Sequence, residues 1–161
     1  MELHTDMAAH RAARTRPALP ARKLALAFVA GFLAVLLFHQ PALALLTQIG
    51  VAKPGIYSLK PTGPLGIPQV ISLAFWGGVW GVLFGMIESR FPRGAKYWLC
   101  ALAFGAILPS LVAWFVVAPL KGLPVAGGWQ ANRMITGLLI NGAWGLGTAL
   151  LLALLYRTRR R

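Results

Sequence analysis

Residues 67–87 read IPQVISLAFWGGVWGVLFGMI, an apolar run without a single Asp, Glu, Lys or Arg. The hydrocarbon core of a bilayer is about 30 Å thick, and about 20 helical residues rising about 1.5 Å each cross it. The run meets that length. Within it Gly77, Gly81 and Gly85 recur every fourth residue, which places them on one helical face. Lipid tails are as apolar as leucine, so helices in a membrane associate by close packing, and stripes of small residues permit it. The stretch therefore reads as a membrane span with one face shaped for another helix.

Three more stretches of the same kind flank it, at residues 24–46, 97–119 and 134–156, and together the four fill more than half of the 161 residues. The expected fold is all-α: a polytopic membrane protein forming a compact four-transmembrane-helix bundle, residues 24–156. A disordered basic head, 1–23, would precede it and a short basic tail, 157–161, would follow. The last span carries its own stripe, with Gly137, Gly145 and Ala149 as packing residues around Asn141. The small-x-small tripeptide at residues 42–44 resembles a signal-peptidase site, but apolar character resumes beyond it, so the first span is expected to be retained.

Charge sets the expected orientation. Of the sixteen Lys and Arg residues, twelve fall before span one, between spans two and three, or after span four. Only Lys53, Lys60, Lys121 and Arg133 lie in the other two loops. Basic residues accumulate on the cytoplasmic side of short loops, so both termini and the middle loop are expected in the cytoplasm of a bacterial-type inner membrane. The net charge of +13 is accounted for by this sorting and by attraction to anionic headgroups. Without interleaved aromatics or a nucleic-acid fold, the basic ends are not read as binding DNA or RNA.

Polar residues within the spans define a candidate site. Counted along the helices, His39, Gln40, Ser72, Ser110 and Asn141 fall in one layer in the outer half of the bilayer. Pro41 and Pro109 add carbonyls freed near Leu37 and Gly105. Polar groups in hydrocarbon turn inward and pair. The layer is read first as interhelical hydrogen bonds that fix register, and alternatively as a pocket for a polar or anionic solute with His39 as its titratable group.

Much chemistry is excluded. The three acidic residues, Glu2, Asp6 and Glu88, all lie outside the span centres, and Cys100 is the only cysteine. No nucleophile elbow, zinc motif, phosphate loop or Cys-x-x-Cys occurs, so no catalytic residue, metal site or cofactor is expected. Small multidrug exporters share the length and span count but use a Glu in the first span, which is missing here. The expectation is a non-enzymatic accessory or structural subunit of a membrane assembly or homo-oligomer, with a small transporter or channel as the alternative.

An internal echo completes the reading. Ser72, Gly78, Trp80 and Gly81 recur 64 residues later as Thr136, Gly142, Trp144 and Gly145, suggesting two hairpins related as parallel repeats.

Overall fold

The structure, a computed structural model, describes residues 21–157. Most of the expected basic head, with His4 and His10, and the last four residues of the tail lie outside the described residues. Four helices are long and apolar enough to cross a membrane, making the chain a multi-pass helical membrane protein. Helix α1 covers Ala21–Gln48 and α2 covers Gln69–Ile87, prolonged by a 3-10 turn at Glu88–Arg90; α3 covers Ala95–Leu120 and α4 covers Ala131–Arg157. We call the end holding Glu88 the basic end and the opposite one the loop end.

The loop after α1 differs from a plain succession of turns. It contains a two-stranded antiparallel ladder, β1 at Pro61–Thr62 and β2 at Ile67–Pro68. Apolar character made Ile67 look like the start of span two. Its neighbour Pro68 disfavours helical backbone at the preceding residue, so Ile67 is extended and pairs with Thr62, and α2 begins only at Gln69. At the other end Gly94, with φ of 70°, supplies the left-handed turn that launches α3.

The bundle is two hairpins built alike. In the first, Gly31 of α1 lies against the carbonyl of Gly77 and the Cα of Gly81 on α2, while Gly81 lies against the carbonyl of Ala27. In the second, Gly105 of α3 lies against the carbonyl of Asn141 and the Cα of Gly145 on α4, while Gly145 lies against the carbonyl of Ala101. A Cβ at any of these four glycines would collide with backbone, so only glycine allows the helices to come this close. The likeness extends outward, since Gly78 accommodates the ring of Phe28 and Gly142 accommodates Leu102. The 64-residue echo in α2 and α4 thus corresponds to one crossing made twice.

Both first helices of the hairpins also carry a π-turn just before a proline, Val35–His39 ahead of Pro41 and Ala113–Val117 ahead of Pro119. The π-turn shifts the carbonyl that proline leaves free. The N–H of Gln40 reaches back to Val35, and Pro41 has no N–H to offer Leu36, so the freed acceptor is Leu36 rather than Leu37.

The two hairpins then meet unequally. α1 packs along α4, where the indole Nε1 of Trp144 donates to the carbonyl of Gly31 at 2.9 Å and the ring of Phe38 rests on Gly147. The repeat-related pair, α3 and α2, makes no such backbone approach. These helices touch through rings, with Phe104 of α3 packed edge-on against Trp80 and Phe84 of α2. The position on α2 that answers Gly147 is Leu83. Leu83 is 43% exposed and lines the gap between the two helices, where Gly147 lies against Phe38 on the closed side.

Candidate functional site

Where α2 and α3 part, a cleft of about 670 Å³ opens, running from the loop end past the middle of α2. Its walls are Leu73, Trp76 and Leu83 of α2 facing Val112, Ala113 and Val116 of α3. Its floor is Val35 and His39 of α1 with Asn141 and Trp144 of α4. At the mouth stand Thr62, Gln69 and Lys121. Measured along the helices, the cleft runs roughly 21 Å from Gln69 to Leu83 and roughly 18 Å from Lys121 back to Pro109.

Below the cleft the bundle is plugged by rings. Phe104 sits among Trp80, Phe84 and Trp144, with centroid separations of 6.2, 5.4 and 6.4 Å. Phe84 is fully buried, and the aromatic chain continues to Phe91 at 5.6 Å. The rings stand between the cleft and the basic end.

The five candidate polar residues lie toward the loop end, but in three different settings. Gln40 is only 1% exposed and faces the loop after α1: its Oε1 accepts from the backbone N–H of Tyr57 at 2.7 Å. The Tyr57 hydroxyl in turn donates to the freed carbonyl of Leu36 at 2.6 Å. These two bonds hold Tyr57 at φ of 47°, a backbone region that non-glycine residues seldom enter. His39 bridges this cluster to the cleft, its Nδ1 lying 3.4 Å from Gln40 Nε2 while its ring lines the cavity.

Ser110 and Asn141 form the second setting. Ser110 is fully buried, and its hydroxyl accepts from Asn141 Nδ2 at 2.9 Å, tying α3 to α4. Asn141 also reaches the cleft floor, so one side chain serves both packing and cavity. Ser72 stands in a third position, half-buried on the cleft wall of α2. The cleft gathers His39, Ser72 and Asn141, and leaves Gln40 and Ser110 outside it.

The candidate packing residues fall mostly on the two crossings. Gly77 lies against Val35 and Gly31, Gly85 against the Cβ of Ala27, and Ala149 is fully buried. Gly137 is different, since a Cβ there would meet the Trp114 indole at ordinary contact distance.

One cluster escaped the sequence reading. At the basic end Lys23 Nζ of α1 lies 3.2 Å from Glu88 Oε1 beyond α2, and the Tyr97 hydroxyl of α3 donates to Glu88 Oε2 at 3.2 Å. Three helices are clamped through one carboxylate. The available signal was that Glu88 is the one acidic residue near any span end, set among basic neighbours. Among the described residues no group of three or more His, Cys, Asp or Glu side chains is placed to hold a metal.

No protein-family model, curated protein or solved structure matches this chain.

Proposed function

We propose that the chain is a non-catalytic accessory subunit of a bacterial-type cytoplasmic membrane that works by holding a small molecule in the cleft between α2 and α3. The observation that carries this reading is the cleft itself. Its volume lies within the roughly 300–1,000 Å³ of ordinary ligand sites, and it combines apolar walls with a few polar groups from three helices. With twelve of the sixteen basic residues falling, in the sequence, in the terminal segments and the loop between α2 and α3, the basic end faces the cytoplasm and the mouth of the cleft lies toward the outer side of the bilayer. Anionic headgroups then meet the basic tail segments on the inner side.

The small-transporter alternative requires a path through the bundle. The ring plug at Trp80, Phe84 and Phe104 favours a bound ligand over a conducted one. Native mass spectrometry of the chain released from mild detergent tests the reading. The wild-type chain is expected to retain a small-molecule adduct that is lost in a Val116→Phe variant, whose added ring occupies the cleft. A folded wild-type chain without an adduct, or an adduct indifferent to Val116→Phe, would overturn it. Solute flux through liposomes containing the pure chain would instead establish the transporter.

A further inference from the structure

We infer that the ligand of the cleft is an anionic lipid of the leaflet at the loop end, its tail lying between α2 and α3 and its headgroup held at Lys121. The inference rests on the binding role proposed above and names the ligand class for that same site.

Depth is the first argument. Half of a hydrocarbon core about 30 Å thick is about 15 Å, and the cleft runs roughly 18 to 21 Å from its mouth, so it spans the full depth of one leaflet's tails. Its walls carry exposed apolar side chains, Leu73, Trp76, Leu83 and Val116 among them, which suit contact with an acyl chain.

Leu83, Val112, Ala113 and Val116 along the walls suit a flexible hydrocarbon chain, which conforms to branched side chains at little loss of contact.

Charge selects the headgroup. Lys121 is the one charged residue among those lining the cleft, and it stands past the loop-end terminus of α3. The other charged residues of the two long loops are Lys53, Lys60 and Arg133, with no Asp or Glu among them to neutralise Lys121. An ammonium at the interface with no carboxylate near it is complementary to a phosphate that carries net charge, and less so to a zwitterion whose own cation cancels it.

The test uses nanodiscs doped with lipids brominated along the acyl chain, which quench tryptophan on contact; in a background with Trp76, Trp98, Trp114 and Trp129 replaced by Phe, Trp80 and Trp144 report from the cleft. Brominated phosphatidylglycerol is expected to quench at a mole fraction roughly fivefold lower than brominated phosphatidylcholine, the preference that one lysine at a membrane surface supplies. Lys121→Ala should remove that preference, Lys60→Ala should leave it, and Val116→Phe should weaken quenching by both lipids. Equal quenching by the two lipids in the wild-type chain, or a preference that survives Lys121→Ala, would overturn the inference. A retained adduct that is lost in Val116→Phe but is not a lipid would do the same while leaving the binding role intact. If Val116→Phe changes neither quenching nor the retained adduct, the binding role falls with it.

Discussion

Gln40 shows how one side chain can fix both a helix and a loop. Its carboxamide is buried at a point where the backbone has already given up a regular hydrogen bond to the π-turn and Pro41, and Tyr57 from the loop satisfies both the amide oxygen and the orphaned carbonyl. Replacing Tyr57 by Phe should remove the bond to Leu36 and destabilise the loop by about 1 kcal/mol, read as faster proteolysis between residues 49 and 66 with the spans intact. Asn141→Ala leaves the buried Ser110 hydroxyl without its donor. The expected loss is about 0.6 to 2 kcal/mol, seen as a lower Tm in detergent, and Ser110→Ala in the same background should add little further loss. Glu88→Gln breaks a partly buried ion pair and weakens one hydrogen bond, for which about 1–2 kcal/mol is expected from the range between exposed and buried pairs. The same substitution should lose most of its effect in a Lys23→Met background.

At the scale of elements, the crossings were legible and the asymmetry between them was not. Stripes such as Gly77, Gly81 and Gly85 can be read from sequence because the four-residue spacing maps directly onto a helix face. Which stripe meets which depends on the partner, and Gly31 and Gly105 became the centres of two matched crossings only once the helices were paired. Depth counting likewise brought His39, Ser72 and Asn141 to the right level, since rise per residue is fixed. It could not separate Gln40 and Ser110 from the cavity, because that depends on helix rotation. The π-turn turns the chain by a fraction of a residue that periodicity does not encode. Gly81→Leu and Gly145→Leu should be equally damaging, as each drives a side chain into the backbone of the neighbouring helix. Each is expected to lose at least about 1–3 kcal/mol, visible as poor extraction or aggregation in mild detergent.

For the whole molecule, function follows from a symmetry that is kept within the hairpins and broken between them. Two like hairpins could have closed on both sides into a solid bundle with no interior space. Instead Gly147 and Trp144 close α1 on α4, while α2 and α3 meet through the Phe104 rings and leave a cleft between them. Sequence patterning shows that four spans exist because hydrophobic length is a local property, whereas the cleft depends on the difference between two interfaces made of similar residues. The proposed orientation adds a prediction at this scale: a cysteine introduced at Lys53 should react with an impermeant maleimide in intact cells, and one introduced at Arg93 should react only after lysis.

Disulfide cross-linking in the membrane measures the broken symmetry most directly. In a Cys100→Ser background, cysteines at Phe38 and Gly147 probe the closed side, and cysteines at Val112 and Leu83 probe the corresponding positions across the cleft. A disulfide needs Cα atoms within about 7 Å. Mild oxidant should therefore link the first pair rapidly and leave the second pair reduced. Equal and rapid linking of both pairs would mean that α2 and α3 are closed in the bilayer, and the account would be contradicted.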